Sequence, residues 1–263
     1  MTSFTIYLLC MIGIAVVVFI SLYFVEAGYG MLVSKRWGKL INNKLAWFLM
    51  EMPIFVSMLV IWIFSPHRFE IVPLIFFLVF ELHYFQRVFI FPFLMKGKSK
   101  MPISIMLMGV AFNLLNSVMQ GYWLFYESFN IQFSAFGIHY TDTAAWLTSP
   151  WFIIGIVLFF SGFAINLHSD YIIRHLRKDP TDTHHYLPKG GMFNYATSAN
   201  YFGELTEWLG FAIMTWSLAG LTFFIWTFAN LVPRANTLYH KYEKEFGEEM
   251  NNRHLKRIFP FIY

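Results

Sequence analysis

Between Asn166 and Glu207 the sequence gathers amides, carboxylates and guanidiniums at helical spacing. Asn166, Asp170, Arg174 and Arg177 recur at intervals of four, four and three, and Asn200, Glu204 and Glu207 at four and three. Such intervals set each group on one helix face. Upstream, Glu51 stands in an apolar run, and Tyr84 and Arg87 lie three apart in another. Hydrophobic runs flank these groups. Ionisable side chains inside a membrane are costly and mark functional sites, so the polar set predicts a site for a polar ligand. Several chemistries are excluded. There is no G-x-G-x-x-G, no Walker motif and no H-E-x-x-H, which argues against a Rossmann site, a P-loop and a zincin. His168, His175, His184 and His185 are clustered but lack the box spacing of a di-iron oxygenase, so no metal is expected. Ser169 sits between His168 and Asp170, where helix neighbours point apart, so no triad follows.

The elements that position these residues read as membrane spans. The chain has 263 residues, is 57% hydrophobic and only 13% charged, against roughly 25% charged in soluble domains. Its single cysteine, Cys10, excludes an intrachain disulfide framework and Cys-based metal sites. Seven runs approach the roughly 20 apolar residues that a span needs: Phe4–Tyr29, Ala46–Phe64, Ile71–Leu94, Ile103–Phe125, Trp151–Ile173, Tyr195–Met214 and Leu218–Val232. The first lacks a basic n-region and is too long for a signal, so it reads as a span. Only Thr215-Trp216-Ser217 separates the last two, and one long bent helix is the competing reading. Apart from Arg68 and Arg87, all 19 Lys and Arg fall in connections after odd-numbered runs. The positive-inside rule then predicts seven spans with the N-terminus outside and the C-terminus cytoplasmic. The fold class expected is an all-α integral membrane protein, a seven-transmembrane helix bundle forming a single domain over 1–263. No basic–aromatic patch points to nucleic acid. The outer connection Glu127–Pro150, without Lys or Arg, suits an interfacial segment.

With that topology, Glu51, Tyr84, Arg87, Asn166, Asp170, Asn200, Glu204 and Glu207 all fall in the cytoplasmic half, joined by Glu26 and Tyr29. A deep polar pocket open to the cytoplasm is expected. Each residue alone has a blander reading. Glu51 could be a structural carboxylate, and Tyr84 could pack at an interface. Arg174 and Lys178 read as juxtamembrane charges, Glu204 and Glu207 as a hydrogen-bonding pair, and Gln120 as an interhelical contact or a ligand contact.

Taken together, the segments Ala46-Trp-Phe-Leu-Met-Glu51-Met-Pro53, His83-Tyr84-Phe-Gln-Arg87, Gln120-Gly-Tyr122, Asn166-x-His168-Ser-Asp170-Tyr171, Gly190-Gly191-x-Phe193 and Ala199-Asn200-x-x-Gly203-Glu204-x-x-Glu207-Trp208 resemble the steroid 5α-reductases over nearly the whole chain, as do Arg234-Ala235 and the terminal Pro260-Phe-Ile-Tyr263. The resemblance implies seven helices around a steroid and NADPH, with hydride transfer to C5 of a 3-oxo-Δ4-steroid. It makes Glu51 and Tyr84 the catalytic pair at the steroid 3-carbonyl. It makes Tyr29, Trp47, Arg87, Asn166, Asp170, Arg177, Asn200, Glu204, Arg234 and Tyr242 the cofactor contacts, and Gly190-Gly191 a tight turn closing a loop. It implies a monomer in a bacterial inner membrane or the endoplasmic reticulum, with a steroid and the bilayer as partners. Two places depart from the family pattern: His185-Tyr186, where a phosphate contact is expected, and His240, displaced from the family's histidine pair. The rival readings are a reductase of an enoyl thioester or polyprenol, a membrane methyltransferase, and a transporter.

Overall fold

The computed structural model describes residues 2–26, 28–128, 133–135, 138–140, 143–177, 182 and 184–263. Lys178 and parts of the Glu127–Pro150 connection lie outside the described residues. Among those described, the secondary structure is helical apart from two short antiparallel ladders. The chain divides into two compact units. The first is Gly28–Gly155 with Ala212–Gly220; the second is Met1–Ala27, Ile156–Phe211 and Leu221–Tyr263.

In the first unit, β1 (Leu40–Asn42) pairs with β2 (Lys100–Pro102), with Ile41 opposite Met101. Each strand leads directly into a helix, α2 (Asn43–Phe64) and α5 (Ile103–Tyr122). Asn42 caps α2, its Oδ1 accepting from the backbone N–H of Lys44 at 2.9 Å and of Leu45 at 3.3 Å. Such a cap satisfies donors that the first turn otherwise leaves open. The two helices come close where side chains are smallest. A Cβ on Gly109 would lie 2.4 Å from the Met50 sulfur, and one on Gly121 2.7 Å from Ile61. Helix α3 (Ile71–Phe85) widens into a π turn over Gln86–Ile90 before α4 (Phe91–Leu94). Pro92 has no N–H for the carbonyl of Val88, and the wide turn before it absorbs the lost register. A π turn also ends α5 at Trp123–Glu127. In the outer connection, β3 (Phe133–Ala135) pairs with β4 (Ile138–Tyr140), followed by α6 (Thr143–Trp146). The buried Trp146 indole donates to the Met214 carbonyl at 2.7 Å.

The second unit holds α1 (Ser3–Phe24) and most of α7 (Pro150–His175), α8 (Ala199–Thr215) and α9 (Leu218–Asn252). Helix α1 buries a narrow stripe, Leu8, Met11 and Ala15. It leaves Val17 63% and Phe24 84% exposed, a surface suited to lipid. Helices α7 and α8 meet backbone to backbone. A Cβ on Gly162 would lie 2.3 Å from the Glu207 nitrogen, and one on Gly203 2.6 Å from the Asn166 nitrogen. Small residues permit this approach in membrane helices.

Among the described residues, six helices are long and apolar enough to cross a membrane: Ser3–Ser21, Asn43–Phe64, Ile71–Leu94, Ile103–Glu127, Pro150–His175 and Leu218–Asn252. The run Tyr195–Met214 forms α8 of only 17 residues, about 26 Å of helix against a hydrocarbon core near 30 Å. Helices α8 and α9 are nonetheless separate. Trp216 has φ 47°, a left-handed value that breaks the helix, and Ser217 Oγ accepts from the Gly220 N–H at 2.9 Å to start the next one. The bent-helix alternative therefore does not hold. Two boundaries also move. Helix α1 ends at Phe24, with Val25 extended, so Tyr29 lies outside the first helix and within the other unit. Helix α9 continues through Pro233 to Asn252, with one non-helical residue, Phe246, so Arg234 and Tyr242 are helical positions rather than a connection.

Candidate functional site

In the first unit, Glu51 and Tyr84 are both buried, and both are held by α5. Glu51 directly follows Met50, the α2 residue that meets Gly109. Its Oε2 accepts from Asn113 Nδ2 at 3.1 Å, and the same amide reaches the Met50 carbonyl at 2.8 Å. The Tyr84 hydroxyl accepts from Asn116 Nδ2 at 3.5 Å, and its ring lies against Phe80 and His83. Arg87 sits in the π turn, where the wider coil turns its side chain onto aromatic faces. Its guanidinium carbon is 4.9 Å from the Trp47 ring and 4.4 Å from Phe91. Cations bind such faces through the ring quadrupole, so Arg87 and Trp47 form one group. Tyr29 packs with Trp47, Trp37 and Met50 around Ala46, Met101 and Ile105.

In the second unit, Asn166 and Asp170 are buried one turn apart on α7. Asn166 Nδ2 donates to the Asn200 carbonyl at 3.0 Å, so the glycine contact that joins α7 to α8 also brings these two predicted residues together. Glu204 is half-buried and Glu207 fully buried on the same face of α8. Arg234 is buried on α9, its Nε donating to the Tyr201 hydroxyl at 2.6 Å. Tyr242 is buried two turns further on. Arg177 is different. It is exposed, and its Nε donates to the His184 carbonyl at 2.9 Å, so it braces the loop after α7.

Asp182 accepts from the His184 backbone N–H and the Tyr186 hydroxyl, which hold its carboxyl at about 2. His185 pairs with Glu245 at 2.9 Å and His240 with Glu243 at 3.0 Å. Gly190 and Gly191 take positive φ values of 94° and 52°, and a Cβ on Gly191 would meet the His168 ring at 2.6 Å. The turn therefore requires glycine, as expected from its sequence.

The sequence reading missed Asn113, Asn116 and Tyr201, which hold predicted site residues. Three amides at +3 and +4 in an apolar run, Asn113, Asn116 and Gln120, were the available signal. It also passed over Glu81, one turn before Tyr84. This carboxyl is buried, and neither oxygen has a hydrogen-bond partner among the described residues.

Apolar helices of spanning length, with polar side chains buried among them, mark a multi-pass membrane protein. The chain belongs to the 3-oxo-5-alpha-steroid 4-dehydrogenase family, whose sequence profile matches residues 99–263. It is 35% identical to steroid 5-alpha-reductase DET2 of Arabidopsis thaliana, over 93% of this chain and 90% of that protein. It is 35% identical to 3-oxo-5-alpha-steroid 4-dehydrogenase 1 of Mus musculus, over 95% and 92%. The Homo sapiens protein of the same name is 40% identical over 70% of this chain and 66% of its own length.

Proposed function

We propose that this protein reduces the Δ4 double bond of a 3-oxo-Δ4-steroid with NADPH, giving the 5α-reduced 3-oxo-steroid. Beyond family membership, the observation that carries this reading is a carboxyl and a phenol, Glu51 and Tyr84, each buried and each held by an amide of one helix. Hydride addition at C5 moves the electron pair of C4=C5 into a C3=C4 bond and the carbonyl π pair onto the 3-oxygen. The Tyr84 hydroxyl donates to that oxygen as the enolate charge grows, and Glu51 orients the hydroxyl. A donor placed where charge develops lowers the barrier more than it tightens ground-state binding. A proton then adds at C4.

The second unit's groups fit a nicotinamide dinucleotide phosphate. Asn166 and Asp170, with Asn200 and Glu204, provide donors and acceptors for carboxamide and ribose. Arg234 is a buried cation suited to phosphate, with Tyr242 further along the same helix. The family resemblance adds Arg177, Arg87, Trp47 and Tyr29. NADPH supplies the hydride when bound. Replacing Arg234 with alanine should raise the NADPH Kd about 10- to 100-fold, the worth of a charged hydrogen bond, read by nicotinamide fluorescence. An unchanged Kd removes Arg234 from the cofactor set.

The reading makes the whole chain, 1–263, one membrane domain with seven spans, α8 being the short sixth. The basic connections after odd-numbered spans support an outside N-terminus and a cytoplasmic C-terminus. Tags on the two termini should therefore be protected on opposite faces of sealed vesicles. Protection on the same face makes the count six.

The activity itself is tested by incubating the purified protein with NADPH and progesterone or testosterone. Loss of enone absorbance with matching NADPH oxidation is expected. Protein that binds NADPH but leaves the enone intact, while reducing an enoyl thioester or polyprenol, would move the assignment to another lipid.

A further inference from the structure

Helix α5 carries three amides on one face, Asn113, Asn116 and Gln120, at spacings of three and four. Amides are poor residues for an apolar helix interior, because each must find partners or pay for lost hydration. Here their donors reach across helices, and backbone carbonyls fix the direction of two of the three amides. A carbonyl can only accept, so the NH2 of Asn113 must face the Met50 oxygen at 2.8 Å, and that same NH2 reaches Glu51 Oε2 at 3.1 Å. Likewise the NH2 of Gln120 must face the Ala219 oxygen at 2.9 Å, and it also donates to Asn116 Oδ1 at 3.4 Å. That turns the Asn116 NH2 toward the Tyr84 oxygen at 3.5 Å. Asn116 and Gln120 are fully buried and Asn113 nearly so. Gly109 and Gly121 flank the ladder, and their lack of side chains lets α5 lie close enough to α2.

We infer that α5 is a positioning helix: Asn113 sets the carboxyl of Glu51, and Asn116, anchored through Gln120 on the Ala219 carbonyl, sets the phenol of Tyr84. The polarity of the ladder matters. The phenol oxygen is the acceptor in its contact with Asn116, so this contact does not use the phenol proton, and accepting an N–H bond makes the phenol a stronger donor. The Glu51 carboxyl likewise receives the Asn113 donor on Oε2. The two amides act through Glu51 and Tyr84 and touch no reacting atom. The inference rests on the assignment of Glu51 and Tyr84 to the substrate carbonyl.

The test is a pair of double-mutant cycles in the full-length protein, reading kcat, KM and NADPH affinity. Asn113→Leu keeps the volume and removes the donor. It should lower kcat about tenfold, with KM and NADPH affinity changed less than about twofold. In a Glu51→Gln background the same change should cost less than about threefold. Asn116→Leu should behave in the same way toward Tyr84→Phe, with a smaller effect, because its 3.5 Å contact is longer. Should a leucine variant fail to fold, Asn113→Ser and Asn116→Ser, which are too short to reach their partners, replace it. Equal losses in both backgrounds mean that the amides serve only packing, and the inference falls. Unchanged kcat in the single amide variants overturns it too. If instead Glu51→Gln and Tyr84→Phe themselves leave kcat intact, it is the carbonyl assignment that fails.

Discussion

Changing Tyr84 to phenylalanine should lower kcat for enone reduction by about 10²- to 10³-fold while leaving NADPH affinity unchanged. The size follows from what is removed. The ring stays in its packing against Phe80 and His83, and only the hydroxyl is lost. A single donor aimed at a developing oxyanion typically supplies about that factor. Since the charge exists mainly in the transition state, the loss should fall on kcat rather than KM. Glu51→Gln should cost less, about tenfold, because it exchanges one carboxyl oxygen for an amide group and leaves the phenol in place. Stopped-flow absorbance of the enone and steady-state NADPH oxidation measure both. A Tyr84→Phe protein that turns over at the wild-type rate would remove the phenol from the chemistry.

The second large effect is on folding. Replacing Gly203 with valine should abolish the α7–α8 contact. Even the first added carbon would lie 2.6 Å from the Asn166 backbone nitrogen and 2.8 Å from the Gly162 oxygen. These are main-chain atoms of a neighbouring helix, and they cannot swing aside as a side chain would. Overpacking usually costs about 1–3 kcal/mol, and a backbone obstacle sets this case at the upper end. The expected result is a lowered Tm in detergent, a smaller monodisperse fraction, and weakened NADPH binding, because Asn166 and Asn200 meet at this contact. By contrast, Gly13 has nothing within 4 Å of an added Cβ, so Gly13→Ala should leave Tm within about 1 °C. Loss of stability in Gly13→Ala with none in Gly203→Val would show that the close approach is absent.

Much of this protein was readable without coordinates. The apolar runs predicted where the long helices lie, because a chain that crosses lipid must bond its backbone internally and show apolar side chains outside. Helical spacing correctly set Asn166 with Asp170, and Gly190-Gly191 correctly announced a turn. Other features stayed hidden for identifiable reasons. Tyr29 read as the end of a span because tyrosine is as common at a helix end as in the loop beyond it. Arg234 read by position as a charge in the connection after the seventh run, and the family resemblance alone made it a cofactor contact. In the structure Pro233 is accommodated inside α9, and Arg234 is buried on Tyr201. Neither fact has a local signal, since the partner is 33 residues away.

By itself, then, the sequence determined the class of the protein, its family, and the residue types available to a carbonyl and to a dinucleotide, because hydropathy, periodicity and motif are properties of the chain alone. Only the tertiary structure decided which of those side chains are held, and by what. Asn113 is an unremarkable amide in an apolar run until Gly109 lets α5 approach α2, and Asn116 until Tyr84 of α3 lies against it. The same holds for α8, whose glycine is an ordinary helical residue until Gly162 lies against it. Hydrogen bonds act over about 3 Å, and which groups come within that distance is set by how helices pack rather than by where they begin.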